Sequence, residues 1–307
     1  MLPFTLQQLR ILKAVAAEKN FTKAAEVLYL SQPSLSKQIK TLEKNLDILL
    51  INRENNKISL TENGKVFLQY SERILALCEE SCRALIDLKN GDRGNLTVGA
   101  SQTIGTYLMP RVLALFAQNY PQIDLKVQVD STRIIATSII KREIDIALVG
   151  GEISNELKKK LTIQPFVSDE LCLIVSKSHP FAVKEKIKKE DLYCLNFITL
   201  HSNSTIKRFI DNILYQNKIQ TKELRTILQL NSIEGIKTAV SLGLGAAFVS
   251  SSSIEKEIKL KQIKILEIEN LNINRPLSII SNPECYKSKA FDFFYQELMR
   301  LKLRSNN

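Results

Sequence analysis

The sequence predicts a multidomain chain: an α-rich winged helix-turn-helix, a long linker helix, and an α/β part built as two lobes. Three observations carry this. Three short capped helical segments and two β-prone pieces fill the first 60 residues. An unbroken helical pattern runs from about Thr61 to Lys89. After KNGDRGN (89–95), rich in Gly and charge, strands and helices alternate, as a parallel sheet covered by helices requires.

The elements follow in order. Thr5 with Gln8 three residues on is a capping box, and Leu9, Leu12, Val15 and Ala16 give the first helix an apolar face. Thr22 is expected to cap the second helix, KAAEVLYL, whose small Ala24 and Ala25 permit a close helix crossing. Ser31 is expected to cap the third, with Pro33 tolerated in its first turn because the amide there has no intrahelical partner. In that third segment, SQPSLSKQIKTLE, Leu35, Ile39 and Leu42 form one apolar stripe. The other faces carry Gln32, Ser34, Ser36, Lys37, Gln38 and Lys40, with no acid before Glu43. A merely solvated face usually mixes charge signs. LLIN and KISL flank the turn RENN and read as a small hairpin, or wing.

Along the long helix, Phe67, Tyr70, Ile74, Leu77, Ser81, Ala84 and Leu88 recur in steps of three and four. This is a heptad-type seam suited to pairing with a second copy of the chain. Cys78 and Cys82 lie on the same helix and read as small packing residues, with a redox-sensitive pair as the sharper alternative. Beyond the hinge, LTVGA, IDLKVQVD and IDIALVGG read as strands separated by helices, a βαβαβ series; the remainder continues as a second lobe and closes with a helix from about Lys287 to Leu303. The expected boundaries are 1–62 for the winged head, 63–92 for linker and hinge, and 93–307 for the α/β part. Its first lobe takes 93–166 and 269–307, and its second 167–268.

Composition bounds the function. The net charge of +11 favours a polyanionic partner, nucleic acid or an anionic surface. The five scattered Cys, without a CxxC, read as reduced thiols. The N-terminus lacks the charge and apolar run of a secretory signal, and no apolar stretch approaches the ~20 residues needed to cross a bilayer. No HExxH, GxSxG or GxxxxGK[ST] occurs, the two His are far apart, and no His/Cys cluster has zinc spacing. Gly243-Leu244-Gly245 follows a helix and enters a strand, the wrong order for a dinucleotide fingerprint, and reads as a tight turn. No catalytic residue, metal or cofactor is therefore expected.

The third helix has the chemistry of a DNA-reading element. In a helix-turn-helix the second helix of the motif enters the major groove. Gln pairs bidentately with adenine, Lys reaches guanine, and Ser serves several bases. Gln32, Ser36 and Lys40 lie a turn apart on the face opposite the apolar stripe, flanked by Pro33, Ser34 and Lys37. Lys23, Lys44, Arg53 and Lys57 are candidates for phosphates, which orient a protein without carrying sequence information.

The stretch from FTLQQLRILK through SQPSLSKQIKTLE to LTENG resembles the DNA-binding domain of LysR-type transcriptional regulators. The resemblance extends over nearly the whole chain and is similar in detail to the subgroup that regulates RuBisCO (carbon-fixation) genes. It implies a dimer or tetramer bound to promoter DNA, RNA polymerase as a further partner, and a periplasmic-binding-protein-like domain closing on a small co-inducer. With the Ile-, Lys- and Asn-rich composition it also implies a plastid-encoded protein of the stroma. Carried onto this sequence, the co-inducer cleft takes Ser101, Gln102 and Thr103 in GASQTIG, Ser131 and Thr132 in VDSTRII, and His201, Ser202, Ser204 and Thr205 in HSNST. Hydroxyls near helix N-termini favour an anionic metabolite, though such residues also serve simply as caps. His201-Ser202 stands where many relatives carry a charged residue, which leaves the ligand open. Competing readings are a LysR-type regulator of nitrogen or sulfur assimilation, a solute-binding protein without DNA function, and an α/β enzyme dependent on His201.

Overall fold

A computed structural model describes residues 2–54, 57–90 and 93–305, with side chains for 2–52, 58–86 and 93–302. The chain divides into two compact units, Met1–Lys89 and Asn90–Asn307.

The first unit holds α1 (Leu6–Glu18), α2 (Phe21–Val27), α3 (Gln32–Leu46), β1 (Ile51–Glu54), β2 (Lys57–Leu60) and α4 (Glu62–Asn90). The Thr5/Gln8 capping box forms at α1. The cap of α2 is Asn20, not Thr22: its side chain accepts from the Thr22 and Lys23 amides, so the helix begins earlier than the sequence suggests. It also ends earlier, because Tyr29 takes a left-handed conformation (φ 55°) at the corner before α3. Ser31 caps α3 and accepts from Ser34 N–H. Ile11, Leu12, Val15, Ala24, Ala25, Leu35, Ile39 and Leu42 form the core, and each alanine allows the close crossing expected of it. β1 and β2 pair antiparallel from Ile51↔Leu60 to Glu54↔Lys57.

α4 starts from a specific lock. Thr61 Oγ1 accepts from Gly64 N–H and donates to the Leu49 carbonyl at 2.7 Å. Phe67, expected in the dimer seam, instead packs edge-on to Phe4 and joins the core of the head. Among the described side chains of the helix, Val66, Tyr70, Leu77, Leu85 and Ile86 are large apolar residues left exposed; Leu88 of the expected seam lies outside them.

The second unit has two lobes. The first contains β3 (Gly94–Ser101), α5 (Met109–Asn119), β4 (Ile123–Asp130), α6 (Thr132–Ile140), β5 (Ile146–Gly150), α7 (Asn155–Lys158) and the start of β6 (Thr162–Ser176). The second contains β7 (Lys186–Ile187), β8 (Asn196–Leu200), α8 (Thr205–Gln216), β9 (Arg225–Leu230), α9 (Ile233–Ser241), β10 (Ala247–Ser250), α10 (Glu255–Lys259) and β11 (Ile263–Ile268). β12 (Asn274–Ser281) and α11 (Lys289–Ser305) return to the first lobe.

The expected βαβαβ series gives a parallel β4–β3–β5 core, with β12 and β6 added antiparallel. β6 runs through both lobes: Thr162–Glu170 pairs with β12, and the residues from Leu171 onward pair with β10 and β11. Leu96, Val98, Phe116, Ile146, Phe294 and Leu298 fill one face of the first lobe. Ile135, Ile139, Val149 and Ile280 fill the other.

Two local departures have physical causes. The segment expected as one helix after LTVGA is a π-turn over Ile104–Leu108 followed by α5. Pro110 sits in the first turn of α5 and has no N–H to continue the ladder of the preceding turn. The Ser250–Ser253 run, whose four serines by themselves read as a loop or cap, forms a 3₁₀ turn whose Ser250 and Ser253 are buried and hydrogen-bonded.

Candidate nucleic-acid interface and interlobe cleft

On α3 the apolar stripe is completely buried. Gln32, Pro33, Ser34, Lys37, Lys40 and Lys44 are exposed, Ser36 is half-buried, and Lys23 on α2 is exposed. The side chains of Arg53 and Lys57 lie outside the described residues. Gln38 belongs to the interior side, where its Oε1 accepts from Gln8 Nε2 at 3.2 Å. The one acid of the segment, Glu43, is turned inward: its Oε1 accepts from the amides of Leu50 and Ile51 at 2.9 and 3.1 Å, fixing the entry to the wing. The outward face therefore carries lysines, amide and hydroxyls without a competing carboxylate. No acid occupies the first turn of α3, so its N-terminal amides and dipole add to the attraction for phosphate. The fully exposed Tyr29 at the α2–α3 corner was hidden from sequence reasoning, which placed it inside a helix.

In the second unit a cavity of about 470 Å³ opens between the lobes. From the first lobe it is lined by Ser101, Gln102, Thr103, Ser131, Thr132 and Arg275. His201, Asn203, Ser204, Thr205 and Asn231 line it from the second. Ser202 is not among the lining residues; its Oγ sits 3.5 Å from His201 Nδ1. Several of the hydroxyls already have work. Ser131 and Ser204 cap α6 and α8. Ser101 Oγ accepts from Gly150 N–H at 3.2 Å, and Thr132 Oγ1 donates to Gly150 O at 3.1 Å. The Thr103 hydroxyl is buried without a partner. Asn203, Asn231 and Arg275 were not legible as site residues. Arg275 pairs with Asp169, which is 106 positions away, and no local motif announces it.

The lobes also touch beside the cavity. Tyr107 of the π-turn donates to Glu234 of α9 at 2.6 Å. Lys237, nearly fully buried, bonds Glu234, Glu257 and the Ser253 carbonyl within 2.9 Å and lies over the Tyr107 ring. Arg111 of α5 reaches Glu255 of α10 at 2.8 Å. Burial, then the hydrogen bond to Glu234, raises the Tyr107 hydroxyl far above its ordinary value, so it remains a donor.

Among the described residues no cluster of three His, Cys, Asp or Glu could hold a metal ion, and no helix is long and apolar enough to cross a membrane.

A winged helix-turn-helix with an acid-free reading face, joined in one chain to a two-lobed domain with a polar cleft, defines a DNA-binding regulator with a small-molecule binding domain. The family comparisons give the same answer. The model of the bacterial regulatory helix-turn-helix proteins of the lysR family matches residues 6–65, and the LysR substrate binding domain matches 89–301. The chain belongs to the LysR family of transcriptional regulators. It is 79% identical to the "Probable RuBisCO transcriptional regulator" of Phaeodactylum tricornutum (strain CCAP 1055/1), covering 100% of both chains. It is 53% identical to the protein of the same description in Porphyra purpurea, covering 98% of this chain and 95% of that one. Among solved structures, full-length CbnR complexed with its target DNA matches with TM-score 0.70 at 22% identity, covering 97% of this chain and 99% of that one. A full-length OxyR variant from Pseudomonas aeruginosa matches with TM-score 0.72 at 22% identity, covering 96% and 94%. At that identity the structures speak to the fold.

Proposed function

We propose that this chain regulates transcription of RuBisCO genes in the plastid stroma, by binding promoter DNA as a self-associated dimer or tetramer. The observation that carries the target is full-length 79% identity to a protein described as a probable RuBisCO transcriptional regulator. DNA contact rests on α3: Gln32, Ser36 and Lys40 read bases, with Pro33, Ser34 and Lys37 beside them. Lys23, Lys44, Arg53 and Lys57 hold phosphates. One bidentate base contact discriminates by about 1–3 kcal/mol. Self-association rests on the exposed apolar residues of α4. The working division is 1–62 for the head, 63–92 for the linker and 93–307 for the effector part, its lobes meeting within β6.

A small anionic metabolite binds between the lobes, held by Ser101, Gln102, Thr103, Ser131, Thr132, His201, Ser204 and Thr205, with Ser202 supporting the turn. Its differential affinity for two lobe arrangements alters how the heads engage DNA and RNA polymerase. The protein is a regulator and carries no catalytic role.

Mapping of bound plastid DNA, for the wild type and a Gln32→Ala/Lys40→Ala double variant, tests this. Enrichment upstream of RuBisCO genes that the variant loses is the expected result. Enrichment at other promoters retains the regulator and removes the target, as a regulator of nitrogen or sulfur assimilation would show. A folded, abundant protein that enriches no promoter would sink the DNA reading.

A further inference from the structure

Among the described residues lining the interlobe cavity, Arg275 is the single Lys, Arg, Asp or Glu. It is 1% exposed, and its Nη2 donates to Asp169 Oδ2 at 2.6 Å. Its Nε has no hydrogen-bond partner, and neither does the hydroxyl of Thr103, 3% exposed in the same lining. Buried polar groups without partners are rare and destabilising, and an arginine serving only as an internal strut is expected to have its donors filled. Both atoms are buried, and both belong to side chains of the same cavity wall. Gly150 makes room for this arrangement: a Cβ there would lie 3.0 Å from the guanidinium carbon.

We propose that Arg275 is the charge anchor for the anionic group of the cleft ligand. A phosphate or carboxylate oxygen accepts from Arg275 Nε and a second from the Thr103 hydroxyl. Asp169 is the resting counter-ion on Nη2, and its charge offsets that of the guanidinium the ligand draws on. This rests on the reading of the cavity as the site of a small anionic effector and adds the residue that anchors the charge and its link to the lobes. Asp169 and Arg275 are register partners where β6 and β12 cross between lobes. The other Asp169 oxygen accepts from Ser250 Oγ, at the end of β10 in the second lobe, at 2.5 Å. An anion that draws on Arg275 therefore loads the joint about which the lobes rearrange. Arginine suits this role because its planar fork serves two acceptors at once.

Calorimetric titration of the full-length protein with inorganic phosphate and with malonate tests the assignment, using Asp169→Asn, Asp169→Asn/Arg275→Gln and Thr103→Val. The wild type is expected to bind at least one anion. Asp169→Asn removes the carboxylate charge that opposes an anion beside Arg275 and tightens that binding by about tenfold, the weight of one charge-assisted interaction. The double variant removes both charges together, keeps its melting temperature close to that of Asp169→Asn, and loses binding. Thr103→Val weakens it. If the double variant does not fold, tightening by Asp169→Asn together with weakening by Thr103→Val decides in favour, and their absence decides against. Anion binding unchanged in all Arg275 and Asp169 variants, yet lost on Ser131→Ala/Ser204→Ala, leaves the cavity reading standing and overturns the role of Arg275. Binding by neither wild type nor Asp169→Asn overturns both.

Discussion

A Cβ on Gly64 would sit 2.0 Å from the Leu50 carbonyl oxygen, the same carbonyl that accepts from Thr61 N–H. This explains why the wing leads into α4 through L-T-E-N-G: Thr61 caps, and Gly64 lets the wing backbone lie against the first turn. Alanine is normally the better helix former by about 1 kcal/mol. Here the clash is with backbone, which gives way only by moving the wing. Gly64→Ala is expected to destabilise the head by roughly 1–3 kcal/mol, the cost of overpacking a filled site. Thermal denaturation of the full chain checks this, and a neutral or stabilising result would contradict the lock. At this scale the sequence was legible where the signal was local. Thr5/Gln8 and Ser31 could be read directly, whereas Asn20 lost out to Thr22 because both are cap formers two residues apart. Arg275 and Asp169 were invisible because only the fold brings them together.

Among elements, α4 presents Val66, Tyr70, Leu77, Leu85 and Ile86 to the outside. Val66, Tyr70 and Leu77, separated by four and seven residues, share one face of α4; Leu77→Glu places a charge within it and is expected to shift the protein toward monomer in sedimentation velocity at micromolar concentration. An unchanged association state would move the self-association surface elsewhere. The contact of the π-turn with α9 yields a pH prediction. Burial pushes the Glu234 carboxyl up, but hydrogen bonds from Lys237 and Tyr107, and the Lys237 and Lys256 charges, outweigh it and hold the group below its ordinary 4.5. A depressed carboxyl stabilises the fold above its unfolded-state value and loses that contribution as pH falls through the folded-state value. Stability of the two-lobed unit should therefore decline as pH drops below about 4.5, more steeply in the wild type than in Tyr107→Phe. Equal acid limbs in the two proteins would argue that Tyr107 does not help to hold Glu234. The order of elements was legible because periodicity changes sharply at residues 89–95. The π-turn was not, since Ile104 to Leu108 reads as ordinary helix until Pro110 is given its effect on the backbone ladder.

For the whole molecule, phosphate contacts by the exposed lysines of the head are expected to make DNA affinity salt-dependent, about one unit of slope for each phosphate neutralised. Lys40→Ala should lower the slope of log affinity against log salt by about one if Lys40 meets a phosphate. If it reads a base, sequence preference should relax at one position with little change in slope. Fluorescence titration across salt concentrations on matched and scrambled duplexes separates the two. The two-lobed architecture could be read from the alternation of strands and helices. The continuity of β6 through both lobes could not, because Thr162–Ser176 contains Pro165 and two acids and looks like two shorter pieces.

That continuity, with β12 returning between β5 and β6, bears on how the molecule is made. A ribosome delivers the DNA-binding head before β3–β5 of the first lobe, these before the strands of the second lobe, and β12 and α11 after all of them. Until Asn274–Ser281 is out, β5 and β6 lack the strand that joins them, and the edges it covers are unpaired. The head can thus be complete before the two-lobed unit has closed. A chain cut short before β12 would carry the head together with an open sheet and is expected to aggregate.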